Sequence, residues 1–101
     1  MLSRFLEKKV EIEVRETPGK PGNMLELEYY LVESEPENEN HVTGDWNYGI
    51  EIIKKQGGAK IESMFYRDMF PGREETRKLV GLLAKNTVTP VSLPYIMDDM
   101  L

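Results

Sequence analysis

The sequence of this 101-residue chain lacks cysteine, and it contains one histidine and one tryptophan. Without cysteine the chain cannot form disulfides, thiolate metal sites or a thiol nucleophile, which favours a reducing intracellular compartment. It also lacks an apolar run of about 18 residues, the length that a helix needs to cross a bilayer. The first eight residues contain no apolar stretch typical of a signal peptide. We therefore expect a cytoplasmic protein without a membrane span.

The net charge of −5 is concentrated in one segment of the chain. Residues 33–47 carry five acidic and no basic side chains, so the remaining residues are together electrically neutral. General nucleic-acid binding needs a basic surface that displaces counterions, and this composition disfavours it. With 40% hydrophobic and 31% charged residues, the chain has the composition of a single globular domain over residues 1–101.

Two segments in the first third of the chain alternate in polarity, which is typical of strands with one buried face. Residues 7–16 alternate apolar with charged side chains, and Lys8 and Lys9 suit an exposed sheet edge. Residues 24–33 form a second strand after a turn rich in proline and glycine at residues 17–23; one face is apolar throughout, and the other begins acidic and ends apolar, so its later half is expected to be covered. Because that turn is too short for a crossover, the two strands are predicted to be antiparallel.

The stretch from Trp46 to Phe65 predicts the central hairpin of the sheet. A two-residue turn at Gly57-Gly58 supplies the positive φ angles that tight hairpins need. The resulting register pairs Ile50 with Phe65, Ile52 with Ser63, and Lys54 with Ile61. It places these residues on one buried face: Tyr48, Ile50, Ile52, Ile61 and Phe65. The same register places the following residues on the opposite face, toward solvent: Glu51, Ile53, Lys55, Lys60, Glu62 and Met64.

Two helices are predicted after the break at Pro71-Gly72. The first spans residues 72–86, with an apolar stripe formed by Thr76, Leu79, Val80, Leu82 and Leu83. Gly81 within this stripe indicates either a close approach of the helix to the sheet or a glycine that is only tolerated, and the helix is predicted to stop at Asn86. The second helix follows Ser92, with a stripe formed by Leu93, Ile96, Met97, Met100 and Leu101. It is too short to be stable alone, so it must dock on its own sheet or on a second molecule.

The predicted fold class is therefore α+β. The expected architecture is a four-stranded antiparallel sheet made of two hairpins, with two C-terminal helices packed on one face.

Several short patterns resemble a known family. They are Tyr29-Tyr30-Leu31-Val32-Glu33, Tyr48-Gly49-Ile50-Glu51-Ile52, Asn86-Thr87-Val88-Thr89-Pro90-Val91-Ser92-Leu93 and Tyr95-Ile96-Met97-Asp98-Asp99. They resemble a family of small uncharacterised proteins of clostridia and related bacteria, classified as a domain of unknown function, over roughly residues 24–101. The resemblance implies a single cytoplasmic bacterial domain and implies no particular activity.

No group of side chains in the sequence matches a catalytic or metal-binding motif. His41 lies in the acidic segment, which lacks the ligand spacing and central glycine of a calcium loop. The pairs Glu74-Glu75 and Asp98-Asp99 are neighbours in predicted helices and point about 100° apart, so neither forms a dyad that shares a proton. We therefore expect no catalytic residue, metal or cofactor. An enzyme or small-ligand binder, with carboxylates converging in a pocket, remains an alternative.

The acidic segment and its neighbouring aromatic residues are the strongest candidates for a binding site. Tryptophan and tyrosine often anchor interfaces, and here they lie where the segment ends. The expected partner-binding residues are Glu33, Glu35, Glu37, Glu39, Asp45, Trp46 and Tyr48. The sequence thus predicts a small non-enzymatic binding or regulatory module for a basic protein partner, with a homodimer left open. A phage-type inhibitor of the anti-CRISPR kind, which mimics nucleic-acid charge in the basic groove of a nuclease, is the alternative.

Overall fold

The structure is a computed structural model that describes residues 2–14, 19, 22–34, 47–70 and 72–100. The described strands are β1 (Leu2–Val14), β2 (Asn23–Ser34), β3 (Asn47–Gln56) and β4 (Ala59–Phe70), and the helices are α1 (Arg73–Lys85) and α2 (Leu93–Met100). The strands form one antiparallel sheet in the order β1-β2-β3-β4. Both helices pack on the same face of the sheet. The predicted α+β fold, with two hairpins and two C-terminal helices, is therefore confirmed.

The hydrophobic core lies between the helices and the two central strands. The sheet contributes Leu27, Tyr29, Ile50 and Ile52, which are at most 1% exposed. The helices and the turn between them contribute Leu79, Val80, Leu83, Ala84, Val88, Leu93 and Met97. Full burial of one such aliphatic side chain contributes about 1.5–3 kcal/mol. This packing, rather than helix propensity, holds the eight-residue α2 in place, and α2 docks on its own sheet.

Strand β1 begins at Leu2, five residues before the predicted start at Glu7. A register shift between Leu6 and Lys8 leaves Glu7 as a bulge, and this breaks the alternation that marks a strand in the sequence. The strand lies at the margin of the sheet, so the edge position that Lys8 indicated is confirmed. Most of the predicted turn at 17–23 lies outside the described residues.

The hairpin of β3 and β4 has the predicted turn. Gly57 and Gly58 have φ angles of 59° and 82°, and the turn is closed by the pair Gln56 and Ala59. Two positive φ values in a two-residue connection match the twist of antiparallel strands.

The register beyond this turn differs from the prediction by one residue. A bulge between Lys54 and Lys55 makes Ile52 pair with Met64, and Ile50 with Tyr66. The predicted pairs Ile50–Phe65, Ile52–Ser63 and Lys54–Ile61 are therefore wrong. A slip of one residue moves every side chain of a strand to the other face. Met64 and Tyr66 consequently pack against the core, while Ile61 and Phe65 are 47% and 40% exposed on the opposite face.

Gly49 marks a second irregularity, where the pairing of β3 with β4 shifts between Tyr48 and Ile50. A Cβ atom at Gly49 would overlap the backbone carbonyl oxygen of Tyr66. Only glycine allows the two strands to approach this closely.

Helix α1 buries a slightly different stripe from the predicted one. The buried residues are Thr76, Leu79, Val80, Leu83 and Ala84. Leu82 is 53% exposed, so its assignment to the stripe is wrong. Thr76 tolerates burial because its hydroxyl donates a hydrogen bond of 2.6 Å to the carbonyl of Gly72. Apart from its chain neighbours and the backbone of α1 itself, no described residue has an atom within 4 Å of the position that a Cβ would take at Gly81, so the predicted close approach to the sheet is also wrong.

The end of α1 is fixed by a Schellman motif. The N–H of Thr87 donates to the carbonyl of Ala84 (3.1 Å), and the N–H of Val88 donates to that of Leu83 (3.0 Å). Thr87 occupies the left-handed position, with φ of 49°. The predicted stop at Asn86 is confirmed, and the turn brings Val88 into the core.

Candidate functional site

The acidic segment, residues 33–47, connects the two central strands of the sheet. Ser34 and Asn47 pair directly, so both ends of the segment leave the sheet at the same place. Of the seven predicted contact residues, the structure describes Glu33 and Tyr48, which pair across β2 and β3. The other five lie outside the described residues: Glu35, Glu37, Glu39, Asp45 and Trp46. His41, the candidate metal ligand, also lies outside them.

Glu33 has a cation of the same chain beside it. Its carboxylate lies 4.0 Å from Nε of Arg73, at the start of α1, and its side chain is 19% exposed. The guanidinium of Arg73 also lies 5.6 Å from the ring centroid of Phe5 on β1. Arg73 therefore ties the first turn of α1 to the sheet at the root of the acidic segment. Because Glu33 is partly neutralised and shielded, it has less charge to offer a partner than an unpaired glutamate has.

The sheet face opposite the helices carries a cluster of paired charges that the sequence analysis did not identify. At its centre the Glu28 carboxylate accepts a hydrogen bond of 3.0 Å from the hydroxyl of Tyr30, and Nζ of Lys55 lies 3.0 Å away. Burial raises the pKa of Glu28, but the hydrogen bonds from Lys55 and Tyr30 outweigh it and leave the pKa below its usual value. Glu28 is therefore ionised at neutral pH and acts as the anion of a structural salt bridge.

The same cluster extends to the outer strand β1 and farther along the central strand β3. Arg4 pairs with Glu51, and its guanidinium lies 4.7 Å from the ring centroid of Tyr30. Burial raises the pKa of Tyr30, and the hydrogen bond to Glu28 raises it further. These groups come from three strands, so only the strand register brings them together. Alternation within a single strand gives no signal for such a cluster.

The buried hydrophobic residue Ile53 adjoins this cluster and was expected to face solvent. It is 7% exposed on the sheet face away from the helices. That face thus combines paired charges with buried apolar side chains, whereas the sequence predicts that its β3 and β4 part faces solvent.

The described residues hold no group of three or more histidine, aspartate or glutamate side chains placed to bind a metal ion. Asp98 and Asp99 are exposed on α2, and Glu74 forms an exposed ion pair with Arg77. No helix among the described residues is long and apolar enough to cross a bilayer.

The fold and its surfaces define a small two-layer α+β protein with an acidic connection at one end of the sheet. Residues 8–101 match the model of a family described as "Family of unknown function (DUF6514)". The match covers nearly the whole chain, so the chain belongs to this family. It includes most of β1, which lies outside the resemblance noted over residues 24–101. No curated protein matches the chain, and no solved structure matches it.

Proposed function

We propose that this protein is a small non-enzymatic binding module that contacts a basic protein partner through its acidic segment. One observation carries the proposal. Between positions 35 and 46 the sequence has four acidic side chains and no lysine or arginine, and Ser34 and Asn47 hold the two ends of this connection side by side. The excess negative charge of the chain therefore belongs to a connection whose two ends leave the sheet side by side.

Such a charge distribution favours a partner of opposite sign. Charged groups across an interface steer association and select partners, and each exposed pair contributes about 0.2–1 kcal/mol. Trp46 and Tyr48 supply the aromatic area that interface anchors need. Four such pairs together contribute about 0.8–4 kcal/mol, which changes affinity by about fourfold to several hundredfold.

The alternative of a nucleic-acid mimic receives less support from the described surface. A mimic of the phosphate backbone needs negative charge spread along an extended surface. On the free sheet face, however, Glu28 and Glu51 are paired with Lys55 and Arg4. The same pairing disfavours the carboxylate-based enzyme, because a buried carboxylate held by lysine is not a proton donor at neutral pH.

The proposal is tested by comparing two charge-matched variants of the full chain. The first changes Glu33, Glu35, Glu37 and Glu39 to glutamine. The second removes four exposed acids elsewhere, as Glu11→Gln, Glu75→Gln, Asp98→Asn and Asp99→Asn. Proteins captured by the wild-type chain from lysate of the source cells are purified and titrated by calorimetry against all three forms.

We expect the first variant to bind a captured partner about tenfold more weakly or worse, with a reduced salt dependence, and the second to bind within about twofold of wild type. If both variants bind as tightly as the wild type, the acidic segment is not the contact surface.

A further inference from the structure

We propose that the groove between α1 and the free edge of β1 binds an extended, acidic peptide segment of a partner protein. This edge groove is formed by Lys8 and Val10 on β1 and by Lys78, Gly81, Ala84 and Lys85 on α1. It lies outside the acidic segment, and the inference does not rest on the function proposed above.

Gly81 keeps the floor of the edge groove open. Two adjoining cavities of about 370 and 410 Å³ meet here, and both are lined by Lys8 and Gly81. Glycine is a poor residue for a helix interior, and no atom within 4 Å of its missing Cβ requires it. Packing within the chain therefore does not explain the glycine, whereas an occupant that approaches the helix backbone does.

The edge groove carries unbalanced positive charge. Lys8, Lys78 and Lys85 are exposed and have no carboxylate partner among the described residues. On the free sheet face, by contrast, Arg4 and Lys55 are paired with glutamates. An occupant with carboxylates would supply the missing counter-charges.

Two carboxylates also line the groove, but a single arginine neutralises both of them in part. Nε of Arg77 lies 3.2 Å from Glu7, and its Nη1 lies 3.3 Å from Glu74. These acids are therefore not free to pair with the three lysines, and the groove as a whole attracts anions.

The main chain of β1 favours an extended peptide over a small anion. In the described sheet β1 has a neighbour on one side only, so every second residue presents its N–H and C=O outward. A peptide that adds as a further strand completes these hydrogen bonds. In such a strand, alternate side chains lie on one face about 7 Å apart. Lys78 and Lys85 are two helical turns apart, about 11 Å, so acidic residues at alternate positions can reach both.

The test uses a fluorescein-labelled peptide of about nine residues that alternates glutamate with valine and threonine. A matched peptide has glutamine in place of glutamate. Binding to the full chain is measured by fluorescence anisotropy, and hydrogen exchange reports protection of the β1 amides. The variant Lys78→Gln/Lys85→Gln removes two groove charges, and Lys54→Gln/Lys60→Gln removes two unpaired charges from the distant hairpin.

We expect the glutamate peptide to bind and to protect amides between Lys8 and Val14, with the glutamine peptide at least about tenfold weaker. The groove variant should lose about tenfold or more in affinity, and the hairpin variant less than about twofold. Gly81→Leu should block binding while leaving the thermal unfolding midpoint at or above that of the wild type, because leucine is the better helix former.

Three results would overturn the inference. If the glutamate and glutamine peptides bind equally well, the charge of the peptide does not contribute to binding. If the groove variant loses affinity but the glutamate peptide does not protect the β1 amides, the groove is a site for small anions. The same follows if inorganic phosphate displaces the labelled peptide as well as the unlabelled glutamate peptide does. A stable dimer in solution whose interface covers Lys78 and Lys85 would assign the groove to a second copy of the chain.

Discussion

The C-terminal turn of α1 offers a prediction whose sign follows from backbone conformation alone. Thr87 occupies the left-handed position of the Schellman motif, where glycine is the usual residue. Its side chain is exposed, and the motif depends only on the backbone N–H groups of Thr87 and Val88. Replacing Thr87 with glycine therefore keeps both hydrogen bonds and removes the steric strain between the side chain and the backbone.

The magnitude comes from two opposing effects. A left-handed conformation costs a residue with a Cβ atom about 1–2 kcal/mol. Glycine in turn gives the unfolded chain more conformational freedom, which offsets about 0.4–1 kcal/mol. The net expectation for Thr87→Gly is an increase of about 0.5–1 kcal/mol in the free energy of unfolding. In a domain of this size, that raises the thermal midpoint by about 2–5 °C.

The assay is urea unfolding followed by circular dichroism, together with a thermal melt. Thr89→Gly is the control, because the Thr89 hydroxyl accepts a 3.3 Å hydrogen bond from the N–H of Ser92 and glycine cannot replace it. This control should lose about 0.5–1.5 kcal/mol. If Thr87→Gly is as destabilising as Thr89→Gly, then Thr87 is not held in a left-handed conformation and the description of this turn is wrong.

Three further predictions concern the core, the paired charges and the groove. Tyr29→Phe removes the 2.9 Å hydrogen bond to the carbonyl of Val88 and should cost about 1–2 kcal/mol in urea unfolding. Burial raises the pKa of Tyr29 to about 12, so the wild type should lose stability as the pH rises from 10 toward 12, and the variant should lose less. Because the folded-state pKa of Glu28 is lowered, Glu28→Gln should lower stability at neutral pH, and this loss should shrink as the pH falls and the carboxylate is protonated; a loss that does not change with pH would contradict its pairing with Lys55. Gly81→Ala should raise the free energy of unfolding by about 1 kcal/mol, and a loss would show that the helix packs more closely there than the structure indicates.

The sequence predicts the elements of this fold because most of them have strong local signals. Residues 24–33 alternate in polarity, Gly57-Gly58 supplies a hairpin turn, and α1 has one apolar stripe. Leu82 was misplaced because it lies next to Leu83 in the chain and one helical turn from Leu79, and its 53% exposure depends on how the helix is rotated against the sheet.

The strand register could not be predicted from the same signals. Strand β4 has apolar side chains on both faces, with Ile61 and Phe65 on one and Met64 and Tyr66 on the other. Hydrophobicity therefore does not distinguish the correct register from one shifted by a single residue. The bulge at Lys54 and Lys55 decides between them, and it has no signal in the sequence.

The candidate sites also differ in how far the sequence predicts them. The acidic segment is visible in composition, because its charges lie close together along the chain with no basic residue between them. The paired cluster around Glu28 and the edge groove at Gly81 combine residues from distant positions, so they require the register of the sheet and the docking of α1. Sites formed by tertiary contacts between isolated residues cannot be read from one sequence without that geometry.

The most direct test of the account is to map the contact surface of a captured basic partner by NMR. Backbone amide signals of the isotope-labelled chain are followed while the unlabelled partner is added. The account predicts that the largest changes fall between residues 33 and 48 and that they disappear in the variant with Glu33, Glu35, Glu37 and Glu39 changed to glutamine. Changes confined to the paired charges of the free sheet face, or to the hairpin at Gly57-Gly58, would contradict it.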